Sequence, residues 1–153
     1  MSDRGYCGVG LFNPKSDCNV GSALRACGCY GASFLAFTGG RVSARAATDT
    51  QKRYRHMPVF RVDDLQAIIP FDCVPVAVDL IDDAQLLHEY EHPERAFYIF
   101  GPEDSTLGHQ ITDWCRDAVY IPTDYCMNLA ATVNVVLYDR QAKRLKEGGG
   151  EGE

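Results

Sequence analysis

The chain alternates short apolar runs with segments whose apolar residues recur at helical spacing. Gly5–Phe12 alternates around Tyr6, Val9, Leu11 and Phe12 and predicts a first strand. Asn13–Asp17 is a loop by composition. In Asn19–Gly31, Val20, Leu24, Cys27 and Tyr30 predict a helix, with Gly31 suited to stop it. Ser33–Phe37 predicts a second strand, ended by Thr38-Gly39-Gly40. Arg41–Met57 shows no clear period and reads as a long loop with a short helix around Ser43–Thr50; such a loop in a compact domain is often functional. Pro58–Phe60 is extended, and Asp63–Ile69 predicts a helix with Asp63 and Asp64 in a first turn that favours negative charge. Further on, Val74–Leu80 and Ala96–Phe100 predict strands, and Asp82–Tyr90 and Leu107–Cys115 predict helices.

The C-terminal stretch is the most apolar. Ala118–Ile121 predicts a strand that Pro122 ends, since proline has no N–H for a ladder. After the polar loop Thr123–Met127, Asn128 is placed to cap a helix running through Leu129, Ala130, Ala131, Val133, Val135, Val136 and Leu137. That run is apolar nearly all the way round, so the helix is expected to be buried on many sides. The segment after Leu145, KEGGGEGE, reads as a disordered tail, which leaves residues 1–145 as one domain and 146–153 as the tail. Short apolar strands alternating with helices predict an α/β fold with a mainly parallel sheet flanked by helices. Ligands of such sheets gather at the carboxyl ends of the strands.

Composition and charge refine this picture. At 153 residues and 46% apolar, the chain can bury one sizeable core. No apolar run is long enough to span a bilayer, and the N-terminus lacks the pattern of a secretory signal, so a cytoplasmic protein without membrane contact is expected. The seven cysteines lack zinc-site spacing, so no metal site is expected and they read as buried free thiols. The net charge of −6 argues against indiscriminate nucleic-acid binding. Its distribution is uneven, however. Arg41, Arg45, Lys52, Arg53, Arg55 and Arg61 concentrate positive charge in one stretch that also holds Tyr54 and His56, while Val62–Asp104 is strongly acidic. Such a stretch is either a phosphate-contacting surface or a solvated loop paired with the acidic remainder. Neither G-x-G-x-x-G nor a Walker loop is present.

Three stretches at predicted strand ends carry a resemblance. Asn19-Val20-Gly21-Ser22-Ala23-Leu24-Arg25 resembles the N-x-G-x-x-x-R first motif of the SPOUT-class RNA methyltransferases, in their SpoU (TrmH-like) branch. Phe97–Phe100 followed by Gly101-Pro102-Glu103 and Leu107-Gly108 is similar to the second motif, and Ile121-Pro122 with Cys126-Met127-Asn128-Leu129 to the third. The motifs stand in the family's order and span nearly the whole chain, in a minimal single-domain form. Cys126 departs from the serine usual in the family, and Ala130 from a second small polar residue; a thiol is a poor hydrogen-bond donor.

The resemblance implies a deep C-terminal trefoil knot, a homodimer with its active site built across two subunits, and methyl transfer from S-adenosylmethionine to an RNA ribose 2′-hydroxyl, with S-adenosylhomocysteine as product. Its RNA is expected to be tRNA, with rRNA as the alternative. A catalytically silent cofactor- and RNA-binding module is the other reading, and Cys126 and Ala130 are consistent with it. By motif match, the catalytic candidates are Arg25, Asn19, Glu103 and Asn128. Guanidinium is always protonated, so Arg25 is better suited to clamping a phosphate beside the target nucleotide than to acting as a base. Glu103 would orient Arg25 or accept from substrate, and Asn128 would orient the ribose; the ordinary alternative for Asn19 and Asn128 is helix capping. Backbone groups at Gly101, Pro102, Glu103, Ile121, Pro122, Met127, Asn128 and Leu129 would hold the cofactor, with Thr38, Gly39 and Gly40 at its border. RNA contact would fall to Arg41, Arg45, Lys52, Arg53, Arg55 and Arg61.

Overall fold

The structure is a computed structural model and describes residues 5–42, 57–102 and 104–151. Its centre is a seven-stranded sheet in the order β3-β2-β1-β6-β4-β7-β5, every neighbouring pair parallel. The strands are β1 (Tyr6–Leu11), β2 (Phe34–Phe37), β3 (Val59–Arg61), β4 (Val74–Val78), β5 (Gln85–Leu86), β6 (Arg95–Phe100) and β7 (Asp117–Tyr120). Helices α1 (Asp17–Tyr30) and α3 (Leu129–Glu151) pack on each other and on one face of the sheet. The short α2 (His109–Thr112) and a 3-10 turn at Leu65–Ile68 cover the other face. The expected parallel α/β architecture is what the chain forms.

The alternation of strand residues builds two cores. Cys7, Val9 and Leu11 of β1, Leu35 and Phe37 of β2, and Tyr98 and Phe100 of β6 point towards α1 and α3. Phe34, Ala36, Phe97 and Ile99 point the other way, against Leu65, Leu107 and Ile111. On this second face β1 presents Tyr6 at its start and then Gly8 and Gly10. A Cβ on Gly8 would lie 2.3 Å from the Phe34 ring, and one on Gly10 would lie 2.7 Å from the Phe97 ring. The two rings stack with centroids 5.6 Å apart.

Several elements differ from the sequence reading. The cap of α1 is Ser16, which accepts from the Asn19 N–H, so Asn19 lies inside the first turn and does not cap it. Asp63–Ile69 forms only a 3-10 turn, capped by Asp64. Asp82–Tyr90 is not a helix: it forms the edge strand β5 and one 3-10 turn, Leu87–Glu89. Leu107–Cys115 contributes only the single turn of α2. The C-terminal helix buries one face, through Leu129, Val133, Val136, Leu137 and Arg140, and leaves Val135 and Tyr138 exposed (38% and 58%). It is therefore not buried on many sides within one chain. It extends to Glu151, across the residues read as a tail. The expected short helix at Ser43–Thr50 lies outside the described residues.

All seven cysteines are free, but only Cys7, Cys27 and Cys73 are buried; Cys18, Cys29 and Cys126 are exposed, contrary to the expectation of buried thiols. Among the described residues no helix is long and apolar enough to cross a membrane, and no cluster of His, Cys, Asp or Glu is arranged to hold a metal ion.

Candidate active site

The carboxyl ends of the strands carry the loops that matter. Those after β4, β6 and β7 enclose an open cleft of about 900 Å³. The loop after β6 contributes Gly101, Pro102 and Asp104, and the loop after β7 contributes Ile121, Pro122 and Met127, with Leu129 at the start of α3 behind them. Asp79, at the end of β4, ties two walls together: Oδ1 accepts from the Leu80 N–H at 2.8 Å and Oδ2 from the Leu107 N–H at 3.0 Å. The β7 loop is held partly by itself, through Thr123 Oγ1 donating to the Tyr125 carbonyl at 2.7 Å. Cys126 is exposed and lines the same cleft.

Asn128 caps α3 as its sequence position predicts. Its Oδ1 accepts from the N–H groups of Ala130 (2.9 Å) and Ala131 (3.2 Å). Its amide also donates to Asn19 Oδ1 at 3.4 Å, joining the first and third motifs across 109 residues of sequence. Neither asparagine lines the cleft. Arg25 is exposed on the outer side of α1, forms no hydrogen bond or ion pair among the described residues, and does not line the cleft either. Glu103 lies outside the described residues; its neighbours Pro102 and Asp104 are both on the cleft wall.

A second cluster forms at the ends of β1 and β2. The Asn13 N–H donates to Thr38 Oγ1 at 3.0 Å, and Asn13 adopts a left-handed φ of 49°. Gly39 has φ +90°, and a Cβ there would come within 2.3 Å of Asn13 Oδ1, so this position requires glycine twice over. Arg41 donates to Asp104 and to the Asn13 carbonyl, and Arg61 donates to the Gly39 carbonyl at 3.0 Å. The Arg41 guanidinium beside Asp104 holds that carboxyl below its ordinary value. Thr38 and Gly39 thus build this cluster, and neither they nor Gly40 line the cleft. Arg45, Lys52, Arg53 and Arg55, with Tyr54 and His56, lie outside the described residues.

Sequence reasoning missed Asp79, Leu80, Asp124, Tyr125 and Thr132, all of which line the cleft. The rule of strand carboxyl ends could have found Asp79 and Leu80. Reading β4 on to Leu80 hid that end, because the strand stops at Val78.

A parallel α/β domain with its cleft at the carboxyl ends of adjacent strands belongs to the ligand-binding α/β class. The family follows from a more specific match: residues 7–138 fit the SpoU rRNA Methylase family, and the chain belongs to it. No curated protein matches it in sequence. Among solved structures it is similar to the SpoU methyltransferase AviRb from Streptomyces viridochromogenes, with a TM-score of 0.82 at 19% identity, covering 94% of this chain and 62% of that one. AviRb in complex with AdoMet matches with a TM-score of 0.78 at 20% identity over 95% of this chain and 63% of that one. The A. aeolicus TrmH/SpoU tRNA modifying enzyme matches with a TM-score of 0.79 at 19% identity, over 93% and 77%. The chain spans less than two thirds of the length of AviRb.

Proposed function

We propose that the chain is an S-adenosylmethionine-dependent RNA methyltransferase domain acting on a ribose 2′-hydroxyl, with tRNA as substrate. The observation that carries this reading is the convergence of residues of the second and third motifs, Gly101 and Pro102 with Ile121, Pro122, Cys126, Met127 and Leu129, on one cleft in a chain of the SpoU family. The cleft suits the cofactor. Its volume lies within the range of small-molecule sites. The described residues lining it include Asp79, Asp104 and Asp124 and no basic side chain, which favours a cationic ligand such as a sulfonium. Apolar Leu80, Ile121, Met127 and Leu129 offer surfaces for a purine.

When bound, S-adenosylmethionine supplies an electrophilic methyl group and leaves as S-adenosylhomocysteine. The protein's part is orientation and charge. The exposed guanidinium of Arg25 is available to a substrate phosphate, where it would lower the pKa of the neighbouring hydroxyl. The Asn19–Asn128 pair sets the first turn of α1 against the start of α3 and presents amide groups to the ribose. Glu103, between two wall residues, completes the set. Because Arg25 does not line the cleft of its own chain, the reading includes a homodimer in which a second copy brings its Arg25 to the site. The exposed Val135 and Tyr138 of α3, with Tyr30 edge-on to Tyr138, offer that contact an apolar surface. The knotted chain path and a cytoplasmic location belong to the same reading. Phosphate contact falls to the basic stretch around Arg45, Lys52, Arg53 and Arg55, with Arg61 at its end.

The preference for tRNA rests on analogy with the structurally similar A. aeolicus TrmH/SpoU tRNA modifying enzyme. The similar structure of an rRNA methyltransferase from Sinorhizobium meliloti keeps rRNA as the second substrate to test. Cys126 and Ala130 support a silent binding module as the competing reading. Methyl transfer from labelled S-adenosylmethionine to unmodified total tRNA, and separately to rRNA, decides among these. Label in a 2′-O-methyl nucleoside, lost by at least a hundredfold (about 2.7 kcal/mol of barrier) in Arg25→Ala, is the expected result. Cofactor binding without transfer to either RNA would favour the silent module, and no cofactor binding would defeat the proposal.

A further inference from the structure

Three loops leaving the carboxyl ends of β1, β2 and β6 meet at one side chain. Arg41 donates from Nη1 to Asp104 Oδ2 at 2.9 Å, from Nη2 to Asp104 Oδ1 at 3.4 Å, and from Nη2 to the Asn13 carbonyl at 2.7 Å. The surroundings are built to hold this arrangement. Asn13 is fixed by its bond to Thr38 and packs against Gly39, where no side chain fits, and Arg61 holds the Gly39 carbonyl. Asp104 is also a wall residue of the cleft, together with Gly101 and Pro102.

The Arg41 and Asp104 side chains are 36% and 42% exposed. An ion pair this wet contributes little to global stability. Its geometric effect is larger, because a two-pronged guanidinium–carboxylate contact sets orientation as well as distance. Lysine, a point charge, could not reproduce it. The basic stretch begins at Arg41, yet this residue's donors are directed at the protein itself.

We propose that Arg41 is a positioning residue of the cleft: its grip on Asp104 fixes the wall that Asp104 and Ser105 share with Gly101 and Pro102, and cofactor affinity depends on that grip. This rests on the cofactor reading of the cleft and gives Arg41 a role distinct from phosphate contact. The grip couples the loop that opens the basic stretch to the wall of the cofactor site.

The test is calorimetric titration of S-adenosylmethionine and S-adenosylhomocysteine into the full chain, for wild type, Arg41→Ala, Arg41→Lys, Asp104→Asn and the Arg41→Ala/Asp104→Asn pair. Each single change to Ala or Asn is expected to raise both dissociation constants roughly three- to tenfold, with the double variant no worse than either single, as for two partners in one interaction. Arg41→Lys should recover only part of the loss. The melting temperature should move by no more than about 2 °C in the near-isosteric Asp104→Asn, which keeps the test valid if Arg41→Ala folds poorly. Additive losses, or unchanged cofactor affinity in Asp104→Asn, would overturn the proposal. So would a loss of tRNA retention in Arg41→Ala with cofactor affinity intact, which would make Arg41 a phosphate contact. A wild-type chain that binds neither compound would defeat the cofactor reading itself, and the inference with it.

Discussion

At the scale of single residues, Asn128 does two things that are separable by substitution. Its Oδ1 takes the N–H groups of Ala130 and Ala131, which would otherwise be orphaned at the start of α3, and its amide reaches Asn19. Serine can cap but is too short to keep the second contact. Asn128→Ala is therefore expected to lower unfolding free energy by about 1 kcal/mol in urea titrations, and Asn128→Ser by clearly less. If the Asn19 contact serves methyl transfer, Asn128→Ser should still lose activity nearly as badly as Asn128→Ala. Equal activity of Asn128→Ser and wild type would reduce the residue to a cap. This residue was legible in the sequence because capping is a local rule. Arg41 was not, since nothing in a run of basic residues distinguishes the one that turns inward. Asp79 was obscured because Leu80 beyond it extends the strand pattern past Val78, where β4 ends.

At the scale of elements, the sheet was legible and the smaller helices were not. β1, β2, β4, β6 and β7 each coincide with a short, mostly apolar run bounded by loop residues, the pattern of strands in a covered parallel sheet. β5 has two residues, too few for any period, and pairs at the sheet edge with β7, so nothing in Asp82–Tyr90 marked a strand. Ser16 capped α1 earlier than expected because Asp17 and Cys18 fall outside the apolar stripe but inside the helix. The glycines of β1 carry information that the period hid: they are the floor on which Phe34 and Phe97 lie. Gly8→Ala should destabilise the protein by about 1–3 kcal/mol through overpacking, read from the urea midpoint. Phe34→Leu on top of Gly8→Ala should recover part of that loss, since it removes the ring atoms nearest the new methyl group. A double variant showing only the sum of the two single losses would mean that the Gly8–Phe34 contact is not the source of the cost.

At the scale of the whole molecule, α3 is fastened to the amino ends of the strands, opposite the cleft, by a polar network that no local pattern announces. Arg140, 5% exposed, donates to the carbonyls of Tyr6, Pro93 and Glu94 and to Tyr98 Oη. Lys143 donates to the carbonyls of Leu87 and Tyr90 and pairs with Asp139. His92 sits between Tyr98 Oη at 2.6 Å and Asp139 Oδ2 at 2.7 Å. A neutral ring with its proton on Nε2 satisfies every partner: Arg140 donates to Tyr98, Tyr98 to Nδ1, and Nε2–H to Asp139. Burial pushes the His92 pKa down to about 4, against the upward pull of Asp139 and with the Lys143 and Arg140 charges helping to lower it. The unfolded chain would protonate this ring near 6.5, so between those values the unfolded state holds the extra proton and stability falls with pH. Above about 6.5 the contribution is complete; it drains away as pH drops towards 4. Each pH unit carries about 1.4 kcal/mol, which makes the loss on the order of 3 kcal/mol. The paired carboxyls of Asp104 and Asp117 are held below their ordinary value, so their own losses come mainly at lower pH and leave this window to the histidine. Urea unfolding at pH 7, 6, 5 and 4.5 should show a steady decline in wild type. In His92→Gln the protein should start less stable at pH 7 but decline by markedly less over the same range. An equal decline in both would assign the acid sensitivity to other groups and leave His92 as a packing residue in the joint that holds α3 in place.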